Sequence, residues 1–154
     1  MHNQIFDGHP KQRLIFFVAQ DIDDSIRQST ENMVNQLATA RKWVIGAPRF
    51  IDIVEDLRTR DEDSLDETLG GEHEIYSALG QNILPYEVDV LHFEEVEEIV
   101  RAVQIFSKTH NLAFEFELDG KFVGSIEDGK IDSTLAVGLL GEWRRHLNTA
   151  SGSV

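Results

Sequence analysis

The residues best equipped for chemistry in this chain are its carboxylates. LIFFVAQDIDDS, residues 14–25, is an apolar run that ends in Asp21, Asp23 and Asp24. Carboxylates gathered at the C-terminal end of a strand can hold a hard, oxygen-seeking cation such as Mg²⁺. The same residues at the start of a helix do something simpler. A short carboxylate accepts free backbone N–H groups of the first turn and sits well at the positive end of the helix dipole. Capping is the expectation for this cluster. DEDSLDE, residues 61–67, looks like a calcium loop. It fails as one, because Leu65 stands where an oxygen ligand is required and Asp66 where a glycine must turn the chain.

LIFFVAQDIDDS also resembles the first motif of haloacid-dehalogenase-type phosphatases. The resemblance implies a Mg²⁺-dependent hydrolase or phosphotransferase, with nucleophile and metal ligand drawn from Asp21, Asp23 and Asp24. Ser25 does not stand at the Asp-x-Asp-x-Thr spacing, since Asp24 precedes it and Ile26 follows. No later pair of aspartates completes a metal site.

Other chemistries find less. Cysteine is absent, which removes disulfides, thiolate metal sites and cysteine nucleophiles. The six histidines, His2, His9, His73, His92, His110 and His146, show no H-x₃-H or H-E-x-x-H spacing. A His73/His92 cross-strand metal pair is the one geometric alternative among them. Glu72 and Glu74 flank His73 and, on a strand, point away from it. There is no G-x-S-x-G elbow and no glycine-rich phosphate loop. No residue is therefore assigned as catalytic, and no cofactor is expected.

What the composition does offer is concentrated charge. The chain holds 28 acidic residues against 14 basic ones, a net charge of −14. Sixteen of the acids lie between Asp52 and Glu98, against two basic residues, Arg58 and Arg60. Outside that segment the charges cancel. Binding to a phosphate backbone or an anionic membrane surface needs a basic face, so neither is an expected partner. A basic protein is, and an acidic surface would speed its encounter in a salt-dependent way. The expected docking residues are Asp52, Glu55, Asp56, Asp61, Glu62, Asp63, Asp66, Glu67, Glu72, Glu74, Glu87 and Asp89, with Tyr76 and Tyr86 as apolar anchors.

The elements that must position them follow from periodicity. RLIFFVAQ (13–20) reads as a buried strand. Ile26, Thr30, Met33, Leu37 and Ala40 recur at helical spacing behind the aspartates. Strands are expected at 49–57, 73–79 and 86–92. An acidic loop, RTRDEDSLDETLGG (58–71), and a turn at 80–85 separate them. Phe93, Val96, Ile99, Val100, Val103 and Phe106 form the apolar stripe of a helix over 93–111, with Glu94, Glu95, Glu97 and Glu98 at its dipole-favoured end. LAFEFELDGKFVGSI (112–126) is a hairpin. A three-residue loop, Leu118-Asp119-Gly120, would pair Phe116 with Phe122 and Phe114 with Gly124, keeping one face apolar. Asp132 or Ser133 caps a last helix over 133–147.

The order β-α-β-β-β-β-α-β-β-α predicts an α+β fold: a mixed, mostly antiparallel sheet of about six to seven strands with three helices packed on it. The one candidate parallel crossover is β-α-β at the N-terminus. One domain is expected over 1–154, with flexible tails at 1–12 and 148–154. The N-terminus has no apolar signal segment and the longest apolar run is too short to span a bilayer, so a cytoplasmic location is expected. In general character the chain resembles bacterial immunity proteins and antitoxins that block nuclease toxins. That resemblance implies a non-enzymatic inhibitor of a basic protein toxin. The sequence leaves the oligomeric state open.

Overall fold

The computed structural model describes residues 11–44, 46–56, 65–76 and 85–150. The elements are β1 (Lys11–Val18), α1 (Asp24–Thr39), β2 (Arg49–Asp56), β3 (Leu65–Tyr76), α2 (Tyr86–His110), β4 (Ala113–Leu118), β5 (Lys121–Glu127) and β6 (Lys130–Ile131). A π-helical segment (Thr134–Gly141) then runs into α3 (Glu142–Ala150). The fold is α+β, with three α-helices and a six-stranded sheet in the order β2-β3-β1-β4-β5-β6.

Every neighbouring pair is antiparallel. β1 and β2 therefore run the same way with β3 between them, and β3 and β4 run the same way with β1 between them. The expected N-terminal crossover exists, but split by another strand. These two interlocked split β-α-β units make the ferredoxin-like β-α-β-β-α-β arrangement. β5, β6 and the C-terminal helices extend it.

Alternation along the strands decides which face is buried. Leu14, Phe16 and Val18 of β1 face the helices and are buried. Their register partners on β4 are Leu118, Phe116 and Phe114, and on β3 His73 and Gly71 face Leu14 and Phe16. The expected α2 stripe from Phe93 to Phe106 closes over this surface, and α1 adds Val34 and Leu37 to the same core. Asp23 caps α1, its carboxylate accepting from the Ile26 N–H at 2.8 Å. Asp132 accepts from the Leu135 N–H at 2.9 Å at the entry to the π-helical segment.

Three expectations change. Residues 86–92 are not a strand but the first two turns of α2. The buried positions Asp89, His92, Phe93 and Val96 recur at helical spacing. Two of them are polar, so an apolar count sees only the alternation of Val88 and Val90 with acids.

Residues 65–71 of the expected acidic loop belong to β3, while 57–64 lie outside the described residues. Gly70-Gly71 reads as a loop signal, yet the missing side chains make room for β1. A Cβ on Gly71 would lie 2.2 Å from the Phe16 ring, and one on Gly70 1.8 Å from the Phe16 carbonyl oxygen.

The β4–β5 hairpin has a two-residue loop. Leu118 pairs with Lys121 and Glu117 with Phe122, and a bulge then sets Phe116 opposite Gly124. Asp119 and Gly120 both have positive φ, 52° and 82°, as the tight turn favoured by twisted hairpins requires. The bulge restores the apolar alternation that a straight two-residue hairpin would lose. It turns Phe122 away from the core.

At the ends, Lys11 and Gln12 belong to β1, and residues 148–150 continue α3. Residues 1–10 and 151–154 of the expected tails lie outside the described residues, as do 77–84 of the expected third strand and turn. Among the described residues no helix is long and apolar enough to cross a membrane.

Candidate functional site

The described acids of the segment from Asp52 to Glu98 are held in several separate places. Asp52 on β2 and Glu67 on β3 are both held by Arg27 of α1, which reaches Glu67 at 3.0 Å. The hydrogen bonds that Arg27 donates to Asp52 and Glu67 raise the pKa of its guanidinium. Glu72 is buried between Arg13 and Arg49. Burial alone would raise its carboxyl; hydrogen bonds from Arg49 and Arg13 outweigh that and hold it below its ordinary value. Asp89, 2% exposed, accepts from the Trp143 indole N–H at 2.8 Å and lies 3.6 Å from His146 Nε2. Of the expected docking residues Glu74, Tyr86 and Glu87 are exposed. Glu55, Asp56, Asp66 and Tyr76 lie on β2 and β3. Asp61, Glu62 and Asp63 lie outside the described residues.

The face of the sheet turned away from the helices is better organised. Across it, Ile15 stands between Glu72 and Glu117, and Phe17 between Gly70 and Glu115. Ile51 lies on the far side of Gly70, and Ile53 opposite Thr68. Ile15, Phe17 and Ile51 stay outside the core cluster. Ile53 is 44% exposed and Phe122, opposite Glu117, is 52% exposed. Glu115 and Glu117 make no ion pair among the described residues. A half-buried apolar strip is thus bordered by carboxylates that lack counter-cations among the described residues. The sequence carries the signal for it in Phe114-Glu115-Phe116-Glu117. Reading that hairpin as purely structural leaves its outer carboxylates out of any site.

A second cluster lies inside the core. His73 of β3 and His92 and Glu95 of α2 are buried. His73 Nε2 and His92 Nδ1 approach the same carboxylate oxygen, Glu95 Oε1, at 3.8 and 3.9 Å. The other oxygen of Glu95 accepts from the Val44 N–H at 2.5 Å. Trp43 packs edge-on to His73, with ring centres 5.4 Å apart. Its indole N–H donates to the Ala38 carbonyl at 3.1 Å. Loss of hydration, reinforced by neighbouring His92, lowers His73 to about 4. Loss of hydration lowers His92 to about 4 as well. Burial raises the Glu95 carboxyl above its ordinary value. The two histidines do meet, although His92 comes from a helix and not from a neighbouring strand. Among the described residues no group of three His, Cys, Asp or Glu is arranged to hold a metal ion. Glu95 is missed when the acids at 94–98 are read as dipole partners alone. His92 and Glu95, three apart, share the buried side of α2.

Asp21, Asp23 and Asp24 are exposed at the start of α1. Asp23 uses one carboxylate oxygen as the helix cap, and the three do not line either of the cavities described for the chain.

Comparison with protein-family models, with curated proteins and with solved structures finds no match to this chain.

Proposed function

We propose that the chain is a non-enzymatic protein-binding module, an inhibitor or immunity-type protein that neutralises a basic protein such as a nuclease toxin. The open face of its sheet is the docking surface. The observation that carries this reading is the pairing of Ile15 and Phe17 with Glu117 and Glu115, two carboxylates without counter-cations among the described residues. An apolar strip supplies contact area that water leaves on binding. Carboxylates around it attract Lys and Arg, disfavour acidic competitors and speed association at low salt. Glu72 contributes no net attraction, because two arginines already hold it. Glu74, exposed on β3, adds a further carboxylate to the sheet.

The test is capture from a lysate of the source organism at low and high salt, using the native chain and a Glu115→Lys/Glu117→Lys variant. The expected result is a basic protein retained by the native chain at low salt, weakened at high salt and lost with the variant. An unchanged urea midpoint would show that the variant is folded. Equal retention by both chains would overturn this docking surface. The activity of the captured protein, assayed with and without the chain, tests inhibition separately.

A further inference from the structure

The two edges of the sheet differ. β6 closes one side with only two residues. β2 closes the other with eight, paired to β3 without a bulge. Among the described residues no strand lies against the outer side of β2. Outer strands usually carry a device that stops another strand from adding to them: a lysine, a proline, a bulge or a short length. RFIDIVED has none of these. Its Ile53 and Val54 are exposed. The backbone N–H and C=O groups along its outer side are therefore a template for one more strand.

The charges of β2 indicate which strand fits. A two-fold axis normal to the sheet runs two β2 strands antiparallel and keeps each face continuous, so odd positions meet odd and even positions meet even. The register centred on Asp52 sets Arg49 opposite Glu55, Ile51 opposite Ile53 and Phe50 opposite Val54. Opposite charges then face each other at both ends of the ladder, with apolar pairs between them. Such cross-strand pairs stabilise neighbouring strands. The next register on either side sets Arg49 against Ile53, or Glu55 against Ile51. Asp52 meets its own copy at the axis, but each Asp52 is already held by Arg27, so two ion pairs meet there and not two bare carboxylates. Glu72 keeps Arg13 when Arg49 turns towards Glu55. We infer that the outer edge of β2 is a dimerisation edge that joins two copies of this chain into one continuous sheet. The net charge of −14 on each copy opposes the union. At about 0.15 M salt the Debye length is about 8 Å, which screens distant charges far more than facing pairs. The pairing uses β2 and not Glu115 or Glu117, so it stands whether or not the open face docks a protein.

Sedimentation equilibrium of the full chain at that salt, over a wide range of protein concentration, tests it. The expected result is a reversible monomer–dimer equilibrium, with amide hydrogen exchange along β2 slowing as the dimer fills. Arg49→Glu and Glu55→Arg each set like charges opposite one another at both ends of the ladder. Each variant alone should dimerise at least about tenfold more weakly than the native chain. Mixed together, the two variants again set opposite charges at both ends and should recover the native strength as a heterodimer. Ile53→Lys, which puts a charge between the apolar pairs, should weaken the dimer at least about tenfold. A monomer at every concentration would overturn the assignment. So would a dimer that leaves exchange along β2 unchanged. Charge variants with unaltered urea midpoints that pair no better with each other than with themselves would overturn it as well.

Discussion

Acidification should loosen this protein well before its carboxylates are protonated, and the cause is the His73–Glu95–His92 cluster. An imidazole ordinarily titrates near 6.5, and here burial holds His73 and His92 at about 4. Between those values the unfolded chain binds protons that the folded chain refuses. Stability is therefore complete above about pH 6.5 and falls as pH drops toward 4. From pH 7 to pH 5 the loss is about 2 kcal/mol per histidine, or about 4 kcal/mol for both as an upper figure, since a tenfold difference in proton affinity between the folded and unfolded chains is worth about 1.4 kcal/mol. Glu95 acts in the opposite sense. Its raised carboxyl favours the folded state at low pH, and that stabilisation is lost as pH rises through its folded value. The cleanest assay is a difference. Urea unfolding is measured at pH 7 and pH 5 for the native chain and for His73→Leu/His92→Leu. Both chains share the remaining histidines, so the variant should lose less stability over this interval, by up to about 4 kcal/mol. Parallel losses in the two chains would refute the argument. So would NMR signals showing either imidazole titrating near 6.5 in the native protein.

Other perturbations address the packing. Gly70→Ala puts a methyl group into the Phe16 backbone and should lower the urea midpoint by the equivalent of about 2 kcal/mol, typical of overpacked cores. Gly120→Val forces a β-branched residue to a φ of 82° and should cost at least about 1 kcal/mol by the same measurement. Asp89→Leu leaves the Trp143 indole N–H without its acceptor and should cost about 1–3 kcal/mol, with a changed Trp143 fluorescence as its local signature.

The α+β class, the three helices and the hairpin are legible in the sequence because they rest on strong periodicity. The long stripe of α2 and the alternation of β4 are examples. What eludes the sequence are places where polar residues or glycines occupy buried positions. Asp89 and His92 disguise two turns of α2 as a strand. Gly70-Gly71 disguises the middle of β3 as a loop, since nothing local announces that Phe16 will lie against it. The hairpin register depends on a bulge, whose extra residue shifts every later side chain to the other face. The sites suffer in the same way. Asp52, Glu67 and Glu72 look free in the sequence because their arginines, Arg27, Arg13 and Arg49, are separated from them by between 23 and 59 residues.

The interlocking of the two crossovers also governs how the chain can be divided. β3 fills the gap in the first β-α-β unit, and β1 fills the gap in the second. A cut between β3 and α2 leaves β2-β3-β1 paired in one fragment and β4-β5-β6 paired in the other, and breaks the β1–β4 ladder at the centre of the sheet. Two fragments cut between β3 and α2 would each expose strand edges fitted to the other. They should recover the native sheet only on mixing, which makes the chain a natural pair of complementing halves.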